Sequence, residues 1–178
     1  MNDRPTIAER YLVASSASNL RLIDERQTAA DVLMAAGHTA QRSRDADLAL
    51  MIWSMRDSKR HHLFEQALTI IIKRLHHRRR KTERIGKHAY ETCSRTLWWW
   101  IEQPVCRVCD GRGHPVIDDT PVLDTSRMCP SCDGHGLEPL ERVVRQDWIK
   151  LADDVLADIQ ALESLAAESM VYRLRGRV

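Results

Sequence analysis

The sequence predicts a mainly α-helical protein: a helical domain with an inserted small zinc-ribbon β-hairpin, followed by a long C-terminal helix. Three observations predict it. Leu, Ile, Val and Ala carry the apolar content of the 178 residues, with five tryptophans but only seven glycines and one phenylalanine, a composition that favours helices over sheets. Apolar residues recur at helical spacing through several stretches. Two near-identical words, Cys106-Arg-Val-Cys109-Asp-Gly111-Arg-Gly113 and Cys129-Pro-Ser-Cys132-Asp-Gly134-His-Gly136, interrupt that pattern.

In chain order, residues 1–27 are weakly patterned and a weakly ordered segment is expected there, with Ile7, Tyr11 and Leu12 starting a short helix. A helix from Thr28 to Ala36 rests on Val32 and Leu33, with Gly37 placed to end it. Asp45 to Met55 reads as another, burying Leu48, Met51, Ile52 and Met55. The stripe Leu63, Phe64, Ala67, Leu68, Ile71 and Leu75 predicts a helix over Ser58–His76. Thr82 is a candidate N-cap for the next, with Ile85, Ala89, Cys93, Leu97 and Trp100 on one side. Residues 28–100 thus form a helical domain, 101–138 the metal ribbon and 139–178 the C-terminal part.

Nineteen residues separate Cys109 from Cys129. Each Cys-x-x-Cys turn can deliver two thiolates, and a tetrahedral zinc ion takes four at about 2.3 Å. In each word Gly-x-Gly allows positive φ, folding backbone N–H groups back toward the sulfurs. Disulfides suit a secreted chain, and the first residues hold no apolar stretch like a signal peptide. Redox Cys-x-x-Cys pairs open a helix, whereas glycine turns follow both pairs here. The expectation is one structural Zn²⁺ on Cys106, Cys109, Cys129 and Cys132, with no catalytic residue, since four thiolates close the shell. His114 and His135 are spare donors turned to solvent or a partner, and Cys93 is a helical core thiol. Between the words, Val116, Ile117, Val122 and Leu123 suggest two short strands joined by a turn.

The ribbon is preceded by Trp98-Trp99-Trp100, which cannot all face one side of a helix. Two are expected in the core, one of them on the ribbon, and the third in an exposed patch. After the ribbon, Pro139 should start the long helix, striped by Val144, Trp148, Leu151, Val155, Ile159 and Leu162. Asp153, Asp154, Asp158, Glu163 and Glu168 give it an acidic outer face, either solvated or paired with basic groups. Arg173, Arg175 and Arg177 form a basic tail.

Lys and Arg total 27 against 25 Asp and Glu, yet residues 73–87 hold eight basic residues and one acid. Lys73, Arg74, Arg78, Arg79, Arg80, Lys81, Arg84 and Lys87 are therefore candidate duplex-DNA contacts, neutralising phosphates and releasing counterions. A solvated helix end whose cations complement the dipole is the competing reading. If this corner is a helix-turn-helix, Lys87, His88, Glu91 or Arg95 would face base edges. No run approaches the roughly 18 apolar residues of a membrane span, so a soluble protein of a reducing compartment is expected, with no membrane and no small-molecule substrate. Nucleic-acid enzymes are disfavoured, since no His-x-Glu accompanies the cysteines and no carboxylates cluster at two-metal spacing.

With paired Cys-x-x-Cys-x-Gly-x-Gly words after a helical region, the chain resembles the late-gene antitermination protein Q family of lambdoid bacteriophages. Ala30-Asp31-Val32-Leu33-Met34-Ala35-Ala36-Gly37 and Ala89-Tyr90-Glu91-Thr92-Cys93 also resemble family segments, so the likeness spans residues 28–137. The loop between the words is shorter here and the arginine run stronger. The resemblance implies a non-enzymatic transcription antitermination factor of the bacterial host cytoplasm. Such a factor binds promoter-proximal DNA, loads onto bacterial RNA polymerase and allows terminator read-through. The same word occurs, usually four times, in the cysteine-rich domain of DnaJ chaperones, but two copies and no J-domain motif are found here. The alternative is a chaperone-like zinc module that binds exposed polypeptide through its tryptophans.

Overall fold

A computed structural model describes residues 7, 11, 13, 29–58, 61–79, 88–117 and 122–175. Among them it holds six α-helices: α1 Ala29–Arg42, α2 Arg44–Ser58, α3 Phe64–Arg79, α4 Ala89–Glu102, α5 Leu140–Val143 and α6 Ile149–Arg175. Single 3-10 turns cover His61–Leu63 and Gln146–Trp148. The mainly helical class is therefore as expected. No strand is present among the described residues; the ribbon segment has only isolated antiparallel bridges, Val105 with Leu137 and Val116 with Leu123. No helix of the described residues is long and apolar enough to cross a membrane.

The chain divides into two units, Met1–Arg74 with Ala157–Val178, and Leu75–Leu156. In the first, α1 packs on α2, burying Val32, Ala35, Ala36 and Thr39 on one helix and Leu48, Ala49, Ile52, Trp53 and Met55 on the other. Ser43 separates them, and its hydroxyl accepts the Ala46 N–H at 3.3 Å, capping α2. The expected stop at Gly37 does not occur. Helix α1 continues to Arg42, and the extra turn carries Thr39, 1% exposed, to the Ser169 hydroxyl (3.4 Å) and Arg173 Nε (3.1 Å). Those contacts outweigh the ~1 kcal/mol that a helical glycine costs.

The helix expected over 58–76 starts only at Phe64, after a 3-10 turn; of its stripe Ala67, Leu68 and Ile71 are fully buried in this unit, whereas Leu63 and Phe64 are half-buried. Of the two expectations for the acidic residues of the long helix, Asp158 takes the paired one. It does not stand on a solvated face of α6 but is 1% exposed, accepting two hydrogen bonds from Arg74, Nε at 3.0 Å and Nη2 at 3.3 Å. Arg74 also pairs with Asp45. Its guanidinium is held above the ordinary arginine value, chiefly by the hydrogen bond to Asp158 and the two carboxylate charges, against the cost of burial.

In the second unit α4 begins at Ala89 with His88 as N-cap; the candidate cap Thr82 lies outside the described residues. Within α4, Ala89, Thr92, Cys93, Thr96, Leu97 and Ile101 are buried; Cys93 is the expected core thiol. The long helix does not start at Pro139. After α5 the chain is extended at Val144 (φ −109°, ψ 148°) and at Arg145, and α6 begins at Ile149. Val143 and Val144 are β-branched and poor helix formers. The extension buries Val144 with Leu140 and Ala152 against Trp99, Trp148, Ile149 and Leu156. Arg95 Nη1 donates to the Val143 carbonyl at 3.0 Å, replacing a helical partner.

Candidate metal centre

The repeated word builds two turns that face each other. Asp110 and Asp133 both have φ 49°, and Gly113 and Gly136 both have φ 74°, the left-handed region that glycine enters without strain. This conformation aims the Gly113 N–H at Cys109 Sγ (3.3 Å) and the Gly136 N–H at Cys132 Sγ (3.2 Å). The two turns then clasp reciprocally: Cys106 N–H donates to the Gly136 carbonyl and Cys129 N–H to the Gly113 carbonyl, each at 2.8 Å. A Cβ on Gly113 would collide with the Gly134 carbonyl, and one on Gly136 with that of Gly111. The second glycine of each word is thus required twice, for φ and for close approach.

The clasp leaves Cys106, Cys109, Cys129 and Cys132 buried, between 0% and 5% exposed, with all four sulfurs within 4.8 Å of one another. Cys109 and Cys132 Sγ are 3.7 Å apart. A tetrahedral ion with bonds of about 2.3 Å has ligand edges of about 3.8 Å, so the group fits one metal ion. None of the four is in a disulfide. Burial alone pushes thiols up, and its effect on Cys106 is overcome chiefly by the Cys109 N–H, with the Val108 N–H beside it, which hold it down at about 6. Cys132 goes the other way, to about 11; burial and the neighbouring sulfurs raise it against the Gly136 N–H. Four sulfurs this close cannot all ionise without a cation among them, so metal binding must expel protons.

His114 and His135 are not part of the sulfur group. His114 Nδ1 is 2.8 Å from the Arg127 carbonyl, and His135 is exposed. The intervening loop is braced beyond the bridge of Val116 and Leu123. Asp124 N–H donates to the Pro115 carbonyl (2.9 Å), and its carboxylate accepts from the Ser126 amide (3.1 Å) and from Arg127 Nε. The Ser126 hydroxyl, then the Arg127 guanidinium, hold that carboxyl below the usual carboxylate range. Residues 118–121 at the expected turn lie outside the described residues. On the other side Trp99 Nε1 donates to the Glu138 carbonyl at 2.6 Å, so Trp99 is the indole that packs on the module. Trp98 is 45% exposed and is the expected patch residue.

The comparisons with known proteins find no matching family model, no matching curated protein and no matching solved structure.

The candidate DNA contacts fare unevenly. Lys73 is exposed on α3, whereas Arg74 is committed to Asp158 and Asp45. Arg78 and Arg79 belong to the last turn of α3; Arg80, Lys81, Arg84 and Lys87 lie outside the described residues. At the N-cap of α4, His88 lies against Trp148, with centroids 5.9 Å apart. Arg95 pairs with Glu91 at 2.9 Å. Sequence reasoning missed the reciprocal bonds of the Cys106 and Cys129 N–H groups between the two turns, although the repeated word was the available signal. It also missed the Trp99–Glu138 tie, which no local pattern announces.

Proposed function

We propose that the chain is a zinc-dependent, non-enzymatic transcription antitermination factor acting in the reducing cytoplasm of a bacterial host. The observation that carries this reading is the closed shell of four buried sulfurs. Cys106, Cys109, Cys129 and Cys132 would hold one Zn²⁺, for which an all-thiolate tetrahedral set is well suited. A filled shell leaves no position for water or substrate, so the ion serves as a scaffold. When bound it supplies charge that keeps the four thiolates ionised and the two turns together. What the module does then resides in the surface that it fixes.

The resemblance to the lambdoid antitermination family gives that surface its meaning: promoter-proximal DNA and bacterial RNA polymerase as partners, with the zinc module a ribbon that presents the loop between its knuckles. DNA contact falls to Lys73, Arg78, Arg79, Arg80, Lys81, Arg84 and Lys87; Arg74 belongs to the set by position, but its donors are occupied. Transcription by purified bacterial RNA polymerase through a terminator tests the whole reading. Added zinc-loaded protein should raise read-through, and unchanged termination on templates carrying the matching phage promoter region refutes it. Serine at Cys129 and Cys132 should release the metal; retained zinc refutes the four-thiolate site.

A second reading, a chaperone-like zinc module for exposed polypeptide, is favoured by the apolar surface of the knuckles. Val105, Val108 and Met128 are 62%, 61% and 68% exposed. Salt-insensitive binding of unfolded polypeptide would support it, whereas salt-sensitive binding of duplex DNA, abolished by charge reversal at Arg78, Arg79 and Arg80, supports antitermination.

A further inference from the structure

Beside the second knuckle, wholly within the unit Leu75–Leu156, lies a cavity of about 630 Å³, inside the ~300–1,000 Å³ range of ligand sites. Trp99, Leu137 and Pro139 give it apolar wall. Asp133, Glu138 and Glu141 bring three carboxylates to it against the single guanidinium of Arg142. The Glu138 backbone is fixed at both ends, its N–H on the Pro104 carbonyl at 2.7 Å and its carbonyl on Trp99 Nε1. Its side chain is 15% exposed, with Oε1 at 3.6 Å from Arg142. Its other oxygen, Oε2, is buried without a hydrogen-bond partner among the described residues. A carboxylate oxygen left this way is costly, and its charge adds to the negative potential that the lining presents.

We propose that this cavity receives an arginine side chain from a protein partner. The chemistry matches part by part. An arginine stem lies along apolar wall while its head seeks carboxylates, and a planar guanidinium can stack on an indole and bond a carboxylate through two donors. The negative lining repels phosphates, which excludes nucleic acid here. The inference rests on the protein-binding half of the proposed function and not on DNA contact or terminator read-through, so it survives failure of either.

The test uses the full zinc-loaded chain, titrated with a short blocked peptide carrying one central arginine and with the same peptide carrying citrulline, which keeps the shape and removes the charge. Indole N–H signals are followed by NMR. Saturable movement of the Trp99 signal with the arginine peptide alone is expected, weakening about tenfold in Glu138→Gln, the scale of one charge-assisted hydrogen bond. If Glu138→Gln loses metal, Glu141→Gln, whose side chain is exposed, is read for the same loss. Three results overturn the proposal: no saturable binding of the arginine peptide, equal binding of the citrulline peptide, or unchanged affinity in both metal-loaded variants.

Discussion

Replacing Gly136 with alanine should cripple metal binding while leaving every ligand in place. At φ 74° a side chain costs about 1–2 kcal/mol in backbone strain. The new Cβ also meets the Gly111 carbonyl, which is backbone and cannot rotate away, so the two turns must part. Parting them stretches the Cys106 N–H bond to the Gly136 carbonyl (2.8 Å) and the Gly136 N–H bond to Cys132 Sγ (3.2 Å), each worth about 1 kcal/mol. The sum, about 3–4 kcal/mol, weakens the metal Kd by roughly 100- to 1,000-fold. Structural zinc sites bind with about 10–16 kcal/mol, so the variant still loads and its affinity can be measured by competition with a chromogenic chelator. Gly113→Ala should behave alike, because the Gly134 carbonyl stands in the same relation to it. A loss below about tenfold in either variant would refute the claim that the reciprocal clasp, beyond the four sulfurs, sets the affinity.

Gly37→Ala should do the opposite. Nothing lies within 4 Å of a Cβ there and the residue is inside α1, so stability should rise by about 0.5–1 kcal/mol with metal affinity unchanged; a lower melting temperature refutes it. Asp158→Ala, read by urea unfolding, should cost about 2–3 kcal/mol, below the ~3–5 kcal/mol of fully buried pairs because Arg74 keeps Asp45 and is 21% exposed. A cost under about 1 kcal/mol would show the pair to be incidental. The depressed Asp124 carboxyl contributes fully above the ordinary aspartate value of about 4 and loses its contribution as pH falls through its own lower value. The Ser126 amide shift should therefore hold down to about pH 4 and move only below it, with no such step in Asp124→Asn; a midpoint at the ordinary value refutes the brace.

The four-sulfur group was legible because its determinants are local. Four cysteines at knuckle spacing, each pair followed by Gly-x-Gly, dictate turn, φ and sulfur direction within eight residues. Element boundaries were legible only where no distant contact competed. Gly37 looked like a stop, but Thr39 two residues on is held by Ser169 and Arg173. Pro139 looked like the start of a long helix, yet burying Val144 in the cluster of Leu140 and Ala152 breaks it after a single turn. Both failures have one cause, a tertiary contact stronger than a propensity difference of about 1 kcal/mol.

Asp158 is the more instructive case, because the sequence left it between a solvated face and a basic partner, and its position on the helix decides. On a helix it lies three residues after Val155 and four before Leu162, at the edge of the apolar stripe and not opposite it. An acid at such a position has to find a buried cation, and the richest supply in the sequence is residues 73–87. Charge counting treated that supply as uniform and aimed all eight basic residues at phosphate, whereas the fold draws on it unequally. Arg74, at the start of the run, faces Asp158 and Asp45, while its neighbour Lys73 is exposed. One helical step thus separates a cation that holds the first unit together from one free to meet an anion. Arg74→Ala should therefore be read as a stability variant, and only Lys73 and the residues beyond Leu75 as probes of DNA binding.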